Sequence, residues 1–152
     1  MSALNGIRII ELAESVAGEY CGKLLADFGA EIIKVERPGT GSPTRNLAPI
    51  IKGKTAGQES GVFAYLNTNK KSVTLDLRKP DDVQKFHKLV ENADVVIESF
   101  RPGVMDKLGC GYDTLKKINP KLVFAALTGY GQTGPYRDRA GHDMNYLGYA
   151  GV

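Results

Sequence analysis

The chain has 152 residues, with 20 Lys and Arg against 17 Asp and Glu for a formal net charge of +3, and it is 42% apolar and 24% charged. That balance fits a soluble globular domain and excludes a disordered chain, a collagen-like repeat and a membrane-spanning helix, which needs an apolar run of about 18 residues. The small cationic surplus does not argue for nucleic acid and is compatible with a phosphorylated small molecule. Cys21 and Cys110 lie far apart without neighbouring ligand residues, so they read as reduced packing residues of a cytoplasmic protein rather than a disulfide or metal site. Met1 to Gly6 lacks the basic and apolar regions of a signal peptide.

Ile7 to Leu12 reads as a short buried strand. A helix opens at Gly18, with Cys21, Leu24, Leu25 and Phe28 on one face, and Gly29 stops it. Glu31 to Val35 is the next strand, and strand–helix–strand at this spacing is a right-handed βαβ unit of a parallel sheet. From Glu36 to Ser60, Pro38, Gly39, Gly41, Pro43, Pro49, Gly53 and Gly57 break the pattern into a long loop. A short helix covers Gly61 to Leu66, and Ser72 to Leu77 alternates as a strand. Lys70-Lys71 before it reads as a charged edge. Pro80, Asp81 and Asp82 start a helix whose apolar stripe is Val83, Phe86, Leu89, Val90 and Ala93. Asp94 to Ser99 is a strand, Val104 to Leu108 and Asp113 to Ile118 are short helical pieces, and Leu122 to Leu127 is a further strand. A glycine-rich loop runs from Thr128 to Gly141, and a helix begins near His142. The alternation predicts an α/β, doubly wound, mostly parallel sheet of Rossmann-like type.

Ligands of such sheets collect at the carboxyl ends of the strands. Those ends hold Glu14 to Gly18, then Glu36 to Gly39, then Ser99 to Arg101, then Thr128 to Tyr130 with the loop to His142 and Asp143. The set is basic and glycine-rich and suits an anion with a ring. No P-loop, serine elbow or metal motif is present. Gly129-x-Gly131-x-x-Gly134 matches a dinucleotide spacing, but it follows the last strand and precedes Pro135, so it reads as a connecting loop. His87, off the apolar stripe, reads as a solvated surface residue. Arg37 alone reads as a solvated loop arginine. Followed by Pro-Gly-x-Gly at a strand end, it reads as a phosphate contact. His142 has two readings. It is a general base held neutral by a helix N-terminus, or it packs beside a capping Asp143.

Leu24-Leu25-Ala26-Asp27-Phe28-Gly29-Ala30 into Ile33 to Pro38, Asn69-Lys70-Lys71-Ser72 into Leu75-Asp76-Leu77, and Phe100-Arg101-Pro102-Gly103-Val104 into Leu108-Gly109 resemble the class III CoA-transferases (the CaiB/BaiF family), which include the α-methylacyl-CoA racemases. Gly141-His142-Asp143-Met144-Asn145-Tyr146 resembles the motif of the racemase branch. The resemblance implies 1,1-proton transfer at the α-carbon of a 2-methylacyl-CoA, with His142 as one catalytic acid/base and an aspartate beyond Val152 as the other. It implies acyl-CoA as the ligand: Arg37 at the phosphates, Leu75 at the adenine, Val16 and Ala17 along the CoA channel, and Ser99 and Phe100 beside the pantetheine arm. Lys107 stands where arginine is usual, losing the two-pronged fork. Glu19 stands where proline is frequent, and Val16 replaces a polar residue of the transferases. No metal and no other cofactor is implied. The family form is an interlocked homodimer of longer chains, so residues 1–152 are expected to be one α/β CoA-binding domain truncated at its C-terminal end. Two alternatives accompany the racemase reading. One is CoA transfer between carboxylic acids through an aspartyl anhydride. The other is a catalytically incomplete binding or assembly module.

Overall fold

A computed structural model describes residues 2–52 and 58–152. Five parallel strands form the central sheet in the order β5-β2-β1-β6-β7: β1 (Arg8–Leu12), β2 (Glu31–Glu36), β5 (Lys70–Thr74), β6 (Val95–Glu98) and β7 (Val123–Ala126). Helix α1 (Val16–Asp27) joins β1 to β2, and α3 (Pro80–Glu91) carries the chain from the β5 edge to β6. The β1–β6 pair is therefore the switch point, with successive strands laid to one side of β1 and then to the other. The α/β, all-parallel sheet matches the sequence reading.

The two faces of the sheet are filled differently. On one face Ile10, Leu12, Val35, Leu75, Phe86, Val90, Val96, Met105, Cys110, Leu115 and Leu122 form a continuous core under α3, α4 (Val104–Lys107) and α5 (Tyr112–Ile118). The expected stripe of α3 is observed, with Phe86 and Val90 fully buried. The other core is smaller and lies under α1, where Ile9, Ala13, Ala26, Ala30, Ile32 and Ile97 meet partly buried Cys21 and Leu25.

Helix α1 departs from the reading. Leu24 and Phe28 point outward, and the residues turned in are Gly18, Glu19, Gly22 and Ala26. The cause is ionic. The Lys34 ammonium on β2 bonds Glu11 at 3.0 Å, Glu19 at 2.9 Å and the Ala13 carbonyl at 2.9 Å. Ser42 and Thr44 hydroxyls and the Asn67 amide also donate to the Glu19 carboxylate. Gly18 and Gly22 let the helix approach, since a Cβ at Gly18 would strike Ala13 and one at Gly22 the Glu11 carboxylate.

β5 starts two residues earlier than the apolar alternation predicts and ends at Thr74. Lys70 is not a charged edge. Its ammonium is buried against Glu11 at 2.7 Å, whereas Lys71 remains exposed beside Glu31. The expected loop 36–60 contains a 3-10 helix (Pro43–Asn46) and an antiparallel hairpin of β3 (Ile50–Lys52) and β4 (Gln58–Ser60). Gly53 and Gly57, read as loop glycines, lie outside the described residues. α2 (Gly61–Leu66) follows as expected, its N-terminus capped by the Ser60 hydroxyl. Among the described residues no helix is long and apolar enough to cross a membrane.

Candidate ligand site at the carboxyl edge of the sheet

Glu14 lies at the centre of the edge, just past β1. Its main-chain N–H donates to the Ser99 hydroxyl beyond β6 at 2.9 Å, and its carboxylate accepts from the Arg37 guanidinium beyond β2 at 2.7 Å. Glu14 thus links two expected ligand residues, Arg37 and Ser99, across the switch point where α/β sheets bind ligands. Val16 and Ala17 form the exposed first turn of α1 beside it. Phe100 is partly buried on the larger core, and its N–H donates to the Glu98 carboxylate at 2.7 Å.

Separately, a concavity of about 620 Å³ opens between the β5–α3 turn, the first turns of α3 and the end of α4. Leu77, Val83 and Leu108 give it an apolar wall, and Lys107 and Arg78 give it two cations. Arg78 grips Asp76 through two bonds and holds that carboxyl down at about 2. His87 also lines this groove and is not free on the surface: its Nε2 lies 2.9 Å from the Gly109 carbonyl. Arg78 and His87 carried no ligand reading in the sequence. The signal for His87 was its place one turn past Val83 on the same helix. Leu75 sits beneath this region with its side chain in the core, 6% exposed.

Buried carboxylates frame the edge. For Glu36, burial pushes the carboxyl up, but bonds from Arg45, Ser72 and the Ser42 N–H outweigh it and hold the group at about 2. For Glu19, burial is likewise outweighed, by Ser42, Lys34 and Asn67, and the carboxyl is lowered. At Glu98, burial raises the carboxyl and outweighs the lowering by the Phe100 N–H.

His142 lies apart from both clusters, in the residue preceding α6 (Asp143–Ala150). Its N–H donates to the Asn145 side chain at 2.9 Å, and the residue is exposed. Asn145, rather than Asp143, supplies this cap. The loop before it is no dinucleotide turn, because a helix begins only at Asp143. It is fastened by Tyr130, which packs on Tyr136, Tyr146 and Tyr149. The Thr128 hydroxyl at its start is buried without a partner among the described residues.

The fold and the edge define an α/β domain whose switch point carries an exposed arginine, Arg37, paired with Glu14. Comparison with known proteins places it further: residues 4–152 match CoA-transferase family III, and the chain belongs to that family. It is 46% identical over 156 residues to an acyl-CoA transferase of Fusarium pseudograminearum, covering 99% of this chain and 34% of that protein. It is 46% identical over 139 residues to a succinyl-CoA–D-citramalate CoA-transferase of Chloroflexus aurantiacus, covering 91% of this chain and 33% of that protein. A CAIB/BAIF family protein from Brucella suis superposes with a TM-score of 0.92 at 41% identity, over 99% of this chain and 40% of that one. The chain therefore spans about a third to two fifths of the length of these relatives.

Proposed function

We propose that the chain forms the CoA-binding part of an enzyme that moves CoA between carboxylic acids. The observation that carries this reading is 46% identity, over 91% of this chain, to a protein named a CoA-transferase. The racemase expectation from Gly141 to Tyr146 yields to it. The site chemistry is consistent with a CoA thioester. Arg37 offers an exposed guanidinium for phosphate oxygens, Val16 and Ala17 flank the path, and Ser99 and Phe100 border the pantetheine arm. The groove with Lys107 supplies cations beside an apolar wall, beneath which Leu75 lies. In this reading a carboxylate outside residues 1–152 attacks the thioester carbonyl. The C–S bond breaks, CoA leaves as the thiolate, and an acyl anhydride forms. A homodimer in the full-length form and a cytoplasmic location accompany the proposal.

Transfer and racemisation are separated by one pair of assays on the full-length protein. With an acyl-CoA donor and a dicarboxylate acceptor, transfer predicts CoA exchange and a hydroxylamine-sensitive adduct. With a 2-methylacyl-CoA in D2O, it predicts no α-deuterium incorporation. Incorporation that disappears in His142→Ala, without CoA exchange, reverses the assignment and makes His142 the catalytic base. The exposed place of His142 before α6 leaves it accessible for that role.

A further inference from the structure

Two arginines follow β2, and they are held in opposite ways. Arg45 grips Glu36 through two bonds, 2.7 and 2.8 Å, and that carboxylate is buried. It is committed to the fold. Arg37 bonds Glu14 through a single N–H at 2.7 Å, its side chain 62% exposed against 23% for Glu14. A pair so exposed is worth little and opens readily. Yet Glu14 itself is fixed. It follows the central strand, and its N–H is tied to Ser99 across the switch point. Its carboxylate is therefore presented to Arg37 where an anionic ligand of this edge would meet the same guanidinium.

We propose that Glu14 is a specificity-determining residue, a resident carboxylate that occupies Arg37 and yields it only to a more highly charged anion. The inference rests on the reading of Arg37 as a contact for the phosphates of CoA. A tethered carboxylate acts at a high effective concentration, so a free monocarboxylate at ordinary concentration does not displace it. A pyrophosphate does, because it offers more charge and several oxygens to a guanidinium fork of which Glu14 uses one prong. Glu14 thus lowers the affinity for every anion at this edge and filters out the weakly charged ones, the free acids that are the other substrates of a CoA transfer.

The test is calorimetric titration of the full-length protein with CoA and with pantetheine, which lacks the phosphates, for wild type, Glu14→Gln, Arg37→Ala and the double variant. Glu14→Gln keeps the main-chain N–H that binds Ser99. The expected result is a two- to five-fold tightening for CoA in Glu14→Gln, about the strength of an exposed ion pair. Pantetheine affinity stays unchanged, and the gain disappears in the Arg37→Ala background. An unchanged or weakened CoA affinity in Glu14→Gln overturns the proposal. So does an equal gain for pantetheine, or a gain that persists without Arg37. A wild-type protein that does not bind CoA overturns the functional reading first, and this one with it.

Discussion

Glu98 and Glu36 end β6 and β2, on either side of β1, and the fold shifts their carboxyls in opposite directions. The Glu36 carboxyl is lowered in the fold, so its contribution to stability is present above its unfolded value near 4.5. That contribution is lost as pH falls toward about 2. Urea unfolding across that window is expected to show wild type losing about 2–3 kcal/mol that Glu36→Gln lacks from the start. Glu98 is raised by burial, so its ionised form costs stability above pH 4.5. Glu98→Gln keeps an acceptor for the Phe100 N–H. It should melt higher than wild type at pH 7 and equally at pH 4, as read by differential scanning calorimetry. Neither carboxylate was legible in the sequence. Hydrophobic patterning assigns charges outward, and what brings Glu36 in is Arg45 and Ser72, the latter 36 positions away. The place of Arg37 just past a strand end was legible, because its signal is local: an apolar strand followed by Pro-Gly-x-Gly.

At the scale of elements, α3 and α1 show where periodicity works and where it fails. The stripe of α3 is apolar and faces an apolar sheet, so spacing alone placed Phe86 and Val90. Phe86→Ala should cost about 3–5 kcal/mol in chemical denaturation. The buried face of α1 carries two glycines and a glutamate beside Ala26, a set with little apolar signal, whose logic is the lysine waiting on β2. Gly22→Ala, usually favourable in a helix, here pushes a methyl into the Glu11 carboxylate. It should destabilise by about 3 kcal/mol, the upper end for overpacking. The start of β5 was misplaced for the same reason, because Lys70 turns inward to Glu11.

For the whole molecule, the parallel order was readable from the alternation of strands and helices, and the switch point at β1–β6 follows from it. The unevenness of the surface was not. β7 is an edge strand with Val123 59% exposed, and α6 shows Met144 81% and Tyr149 58% exposed. An open strand edge with apolar neighbours pairs with a second copy. The 152-residue chain studied alone is expected to elute earlier from a size-exclusion column as its concentration rises. Elution independent of concentration would remove the assembly reading.

The network of Glu11, Lys34, Glu19 and Lys70 beneath α1 also limits how this sequence can drift. A single neutralising exchange at Glu19 leaves Lys34 short of a counter-charge in a dry place and takes from Ser42, Thr44 and Asn67 the carboxylate they share. Removing one partner of a buried pair costs about 3–5 kcal/mol, while replacing both with well-packed apolar side chains is often neutral. The four charges are therefore coupled: the cost of exchanging Glu19 should fall when Lys34 is replaced with it, as a double-mutant cycle in urea unfolding would read.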